Sequence, residues 1–97
     1  MSIKIIVSAK IKEEKLDEVI PFFKSILPDT RGFEGMEGIS VCFNEEDPTN
    51  MVLVEKWASK EAYEKYHHWR EENGSLDQIR EFLAGRPDRM FLNITDA

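Results

Sequence analysis

Apolar and polar positions alternate at the start of the chain and then change period. Ile3, Ile5, Val7, Ala9 and Ile11 fall on one side of a pleated strand, with Lys4, Ile6, Ser8 and Lys10 on the other. From about Glu13 to Leu27, Leu16, Val19, Ile20, Phe23, Ile26 and Leu27 recur every three or four positions, the stripe of an amphipathic helix. Pro21 lies inside that stripe, where it removes a backbone donor and crowds the Asp17 carbonyl, so a kink or restart is expected. Pro28-Asp29 is the expected end of the helix. Ile39, Val41 and Phe43 share one face of a second strand, about Gly38 to Asn44. Glu45 to Asn50 is a polar turn, and Met51 to Trp57 a third strand. Ser59 has the chemistry of a helix N-cap, opening a second helix that ends near Asn73-Gly74. Ser75-Leu76-Asp77-Gln78 reads as a capping box for a short helix carrying Leu76, Ile79, Phe82 and Leu83 and stopping at Gly85. A last strand, Arg89 to Thr95, carries Met90, Leu92 and Ile94 at alternate positions.

This order predicts one α+β domain over residues 1–97, the ferredoxin-like βαββαβ fold: a four-stranded antiparallel sheet with helices on one face. Ile5-Ile6-Val7 and Met51-Val52-Leu53-Val54 are apolar on both faces, where a sheet with one wet face should alternate. Two helices cover one side only. An identical subunit related by a two-fold axis is the economical cover for the other, so the pattern predicts a homodimer with its sheets packed face to face.

Composition narrows the partners. A 97-residue chain with 41% hydrophobic and 33% charged residues is a small globular domain that buries a modest share of its surface alone. The net charge of −6 argues against nucleic acid and anionic membrane surfaces, which require a clustered basic footprint. No run approaches the roughly 20 apolar residues of a membrane span. Met1 to Val7 is too short for a secretion signal, so a cytoplasmic location is expected. The single cysteine, Cys42, excludes an intrachain disulfide and, within a strand, reads as a buried inert thiol. Arg31 to Gly38 holds three glycines without G-x-G-x-x-G order, which fits a turn into a strand better than a phosphate cradle.

The chemistry concentrates between Met51 and Trp69. A strand ending in Glu55 and Trp57 leads into a helix with Tyr63, Tyr66, His67, His68 and Trp69 within two turns. A pocket is expected where this strand and helix face each other. Gly32-Phe33-Glu34-Gly35-Met36, the hairpin, and Glu55-Lys56-Trp57-Ala58-Ser59-Lys60-Glu61-Ala62-Tyr63 resemble the antibiotic biosynthesis monooxygenase (ABM) domain over nearly the whole chain. The resemblance implies a dimeric α/β barrel with a ligand cavity between sheet and helices. It also implies oxidation of phenolic or quinol-like substrates by molecular oxygen with no metal or flavin. Other members degrade haem. That branch has an Asn in the first strand, where this chain has Ser8 or Lys10, and a ligating His near the position of Leu76, so haem degradation is discounted. The helical His or Trp of the family falls here on Tyr66, with His67 about 100° further round the helix.

On this reading Tyr66 and His67 are the candidate catalytic residues, and Trp57, Tyr63, Arg70 and Asn93 the candidate substrate-binding ones. Tyr66 rather than either histidine is expected to mark the pocket, its hydroxyl donating to a substrate oxygen while His67 accepts a proton at the edge. Ala62 shares a face with Tyr63 and Tyr66, and its small size leaves room for a cleft. Each residue also has a plainer role: Trp57 and Tyr66 as core filler, and Glu55 as the ion-pair partner of a lysine rather than a buried base. Adjacent His67 and His68 cannot form an i, i+4 metal pair, and no metal or cofactor is expected. A small apolar or aromatic ligand is the expected partner. A non-catalytic ligand-binding or stress-response barrel is the alternative to an enzyme, and a dimerisation module with a filled interior is a third reading.

Overall fold

In the computed structural model, which describes all 97 residues, the alternating segments form one antiparallel sheet. Its strands are β1 (Ile3–Lys10), β2 (Met36–Asn44), β3 (Asp47–Trp57) and β4 (Asp88–Asn93), in the order β2-β3-β1-β4. The helices α1 (Leu16–Arg31), α2 (Lys60–Glu72) and the short α3 (Ser75–Arg80) complete the predicted ferredoxin-like βαββαβ order. Ile5 pairs with Glu55 on one side and Phe91 on the other, so residues of the same parity form rows across the sheet.

The inward rows meet the helices. Val19, Phe23 and Leu27 of α1 pack with Ala9, Met51 and Leu83, while Ile5, Val7, Trp57 and Tyr63 form a second cluster under α2. The outward face carries a different row: Ser40, Val54, Ile6 and Met90 stand side by side, flanked by Val52 and Leu92. No helix packs on it. Cys42, opposite Val52 on this face, is exposed rather than buried. A strand position guarantees burial only where something covers that face, and here parity turns the thiol outward.

Several boundaries differ from the sequence reading. A 3₁₀ turn, Glu13–Lys15, precedes α1, and the helix then runs without interruption through Pro21 and Pro28 to Arg31. The two prolines are seven residues apart on the solvent side, as are Asp17 and Lys24, so the carbonyls that lose a partner can turn to water. β3 begins at Asp47, which shortens the turn to Glu45-Glu46, and β4 ends at Asn93 rather than Thr95. The capping box does not form. Gly74, at φ 83°, takes the N-cap of α3, and Ser75 turns its hydroxyl to Arg70 and Asn73.

Candidate active site

Because side chains alternate along a strand, Met51, Leu53, Glu55 and Trp57 of β3 all face the helices. The strand thus carries a carboxyl into the interior. Glu55 is only 4% exposed, and its Oε1 accepts a hydrogen bond from Trp57 Nε1 at 2.8 Å. The lysine pair expected for it does not form, since Lys4 and Lys56 have the opposite parity. Burial holds the Glu55 carboxyl above the ordinary carboxylate range, against the Trp57 hydrogen bond and the charge of Arg89.

The start of α2 is fixed by Ser59, whose Oγ accepts from the Ala62 backbone N–H at 3.1 Å. Tyr63, Tyr66, His67 and Arg70 then follow at three- and four-residue spacing on the side facing the sheet and α1. The buried Tyr63 hydroxyl accepts from Arg89 Nε at 3.0 Å, and burial raises its pKa. His67 Nε2 lies 3.4 Å from Arg89 Nη2. A guanidinium can only donate, so Nε2 is the acceptor and the imidazole is neutral. Burial first, and the charge of Arg89 second, depress the His67 pKa. The ring is an uncharged base at neutral pH.

These groups end an apolar cavity of about 70 Å³ between sheet and helices. Val7, Ala9, Phe23, Leu27, Met51 and Leu53 supply walls, and Glu55, Tyr63, Tyr66, His67 and Arg89 its polar end. Tyr63, His67 and Arg89 also line an open cleft of about 360 Å³ outside, with Phe91, Glu64, His68 and Glu71. The same three residues therefore form the boundary between the interior and solvent.

The structure separates the other expected site residues. Tyr66 brings its ring to the cavity wall, 5.0 Å from Trp57 and 5.3 Å from Phe33 by ring centroids. Its hydroxyl turns towards α1, 2.8 Å from Thr30 Oγ1, and accepts from Arg70 Nε at 2.9 Å. Arg70 is 2% exposed and spends its donors on structure: Tyr66, Ser75 Oγ, Thr30 Oγ1 and the Ile26 carbonyl. No carboxylate pairs with it, but the C-terminal end of α1 offers the negative end of a helix dipole. Trp57 is fully buried in the ring cluster and reaches the site through its hydrogen bond to Glu55 and its ring contacts with Tyr63 and Tyr66. Asn93 is exposed at the end of β4, opposite Ile3, away from the cavity and the cleft. His68 turns out to Glu72. Ala62 does not line the interior cavity: a Cβ placed on Gly35 would sit 2.5 Å from the Ala62 Cβ, so the Gly35 backbone fills the space beside it, and the cleft Ala62 does line is a surface one with Glu34, Glu61 and Lys65. No three His, Cys, Asp or Glu side chains converge as a metal set.

Arg89 was not read as a site residue from the sequence, although it contacts both Tyr63 and His67. The available signal was parity. Arg89 shares its face with Phe91 and opposes Val7 on the inward side, whereas Met90 and Leu92 face outward.

Comparison with known proteins agrees with this architecture. A conserved protein from Methanosarcina mazei Go1 superposes with a TM-score of 0.89 at 18% identity, covering 98% of this chain and 94% of that one. A structure described as an antibiotic biosynthesis monooxygenase gives 0.85 at 18% identity, covering 96% and 98%. The protein Rv0793 from Mycobacterium tuberculosis gives 0.85 at 14% identity, covering 100% and 98%. Likenesses at this identity establish the fold. No curated protein sequence matches the chain. The sequence pattern of the antibiotic biosynthesis monooxygenase family matches residues 2–72, which include β1 to β3 and all of α2 with Tyr63 and His67. The chain belongs to the antibiotic biosynthesis monooxygenase family.

Proposed function

We propose that this protein is a homodimeric, cofactor-independent monooxygenase that uses molecular oxygen on a small electron-rich phenol or hydroquinone. One observation carries the catalytic part: a neutral imidazole nitrogen at the mouth of an apolar cavity, beside a tyrosine hydroxyl and a guanidinium. On substrate binding His67 Nε2 gives up its 3.4 Å contact with Arg89 Nη2 and takes the phenolic proton, which frees that donor for the anion. Tyr63, whose oxygen accepts from Arg89, keeps its own proton free for the phenolate oxygen, and the Arg89 charge settles the anion further. The anion then passes an electron to oxygen among apolar walls that exclude water. Over the full reaction one oxygen atom becomes a ring carbonyl. The other leaves as water with two hydrogens, one from the hydroxyl and one from the oxidised carbon. Tyr66 serves as wall, and Arg70 and Trp57 position it and Glu55.

The cavity volume supports a second reading. About 70 Å³ is roughly half the volume of a dry cavity that accepts benzene, about 150 Å³. For catalysis, therefore, only the reacting edge of the substrate enters, and the rest lies in the outer cleft against Phe91. In a non-catalytic barrel the same groups merely hold a ligand. Oxygen uptake with a panel of hydroquinones separates the two. The enzyme reading expects uptake above the buffer rate, reduced about 100-fold or more in His67→Ala, in keeping with the worth of a general base, and unchanged in His68→Ala. Uptake equal in His67→Ala and wild type would remove the base.

The homodimer rests on the uncovered row of Ser40, Val54, Ile6 and Met90. The chain exposes 6355 Å², against about 5,700 Å² expected for a compact monomer of this mass. The excess fits a face made to be covered.

A further inference from the structure

Next to the cavity mouth, and distinct from the cleft that holds Glu64 and Glu71, lies a second open cleft of about 500 Å³. Its lining is His67, Arg80, Arg86, Pro87 and Arg89, with no acidic residue and no apolar side chain other than the proline. This is notable in a chain of net charge −6. Arg80 leans on Asp77 at 3.0 Å, an exposed pair that water screens. Arg89 reaches Tyr63 and His67. Arg86 forms neither a hydrogen bond nor a salt bridge through its side chain. Three arginines line one space, and His67, Pro87 and Arg89 line both that space and the apolar cavity. A ligand that fills the mouth is therefore within reach of the arginines at one end and of apolar walls at the other.

We infer that the ligand has two parts, an aromatic body at the cavity mouth and a carboxylate head seated among Arg80, Arg86 and Arg89. Guanidinium groups present paired N–H donors that match a carboxylate fork, and as charges they draw an anion against the overall repulsion of the acidic chain. A neutral phenol could bind in the mouth but would leave this cleft unused. The inference rests on the proposed ligand site but does not require that turnover occur there.

Benzoate and benzamide, which share a ring and differ in the charge of the head, provide the test. Each is titrated into the intact protein at low salt, with the NMR signals of the His67 ring as the report. Benzoate should bind about fivefold or more tighter than benzamide, an advantage that shrinks as salt screens the arginines. Arg86→Gln, an exposed substitution, should remove most of that advantage and leave benzamide affinity unchanged. Equal affinity for both probes, with the His67 signals shifting, would overturn the carboxylate seat while leaving the cavity as a ligand site. Failure of both probes to shift those signals would overturn the seat and the ligand site together. Inorganic phosphate displacing benzoate at equal affinity would also overturn the two-part ligand, because the arginines would then serve any free anion.

Discussion

Glu55 and Arg70 show two ways of holding a charge-bearing side chain inside a small protein. Arg70 has its donors taken up by neutral acceptors beside a helix end. Glu55 has one hydrogen bond, from Trp57, and its carboxyl is pushed towards the neutral form. The sign of the pH dependence follows. A raised folded pKa gives a contribution that is fully present below the unfolded value of 4.5 and lost as pH rises through the folded value. Glu55→Gln keeps an oxygen for Trp57 and removes the buried ionisation. It should therefore raise the melting temperature at pH 7 by more than at pH 4, by about 4–8 °C for each kcal/mol gained. A shift that is equal at both pH values would show that Glu55 ionises in the fold as freely as in water. The sequence identified Glu55 as either a base or an ion-pair partner. It could not choose, because the choice depends on what stands opposite: Ile5 rather than a lysine. Tyr66 is similar. Its place on the inward face was legible, but the direction of its hydroxyl depends on Thr30 and Arg70, 36 and four residues away along the chain.

At the scale of elements, β3 and α2 act as one unit because the loop before β2 pins them. Gly35, at φ +91°, brings its backbone against Ala62, and its carbonyl accepts from the Ala58 N–H at 2.7 Å. Only glycine satisfies both conditions, since any Cβ clashes at 2.5 Å and a positive φ strains an L-residue. Gly35→Ala should cost about 2 kcal/mol or more in a denaturant titration. Adding Ala62→Gly should recover only part of it, because the strain of about 1–2 kcal/mol remains. Full recovery would mean that the contact alone matters. The elements themselves were largely legible, as the periods of strands and helices change cleanly along the chain. Two of the misplaced readings, at Pro28 and at Ser75, came from local rules that the surroundings overrode. At Pro28 the solvent side of the helix tolerated the lost bond, and at Ser75 a buried arginine competed for the hydroxyl.

For the whole molecule, two layers leave one sheet face bare. The principal extents of 40 × 33 × 21 Å describe such a slab, a sheet with helices on one side. Met90 and Leu92 remain 55% and 39% exposed on that face. The homodimer account predicts a sedimentation mass near twice that of the chain at micromolar concentration. Val54→Asp should yield monomer or unfolded chain, since it would place an unpaired carboxylate in the interface. A wild-type monomer at that concentration would end the dimer account. The apolar double-faced strands were the sequence signal for this face, whereas the arginine cleft was invisible because Arg80, Arg86 and Arg89 come from three different local settings. The most direct measurement of the functional account is a single turnover of a hydroquinone substrate under ¹⁸O₂, followed by mass spectrometry. The account predicts one labelled oxygen in the quinone product and the other in water. Product formed without label, or no turnover of any phenolic substrate by the dimer, would contradict it.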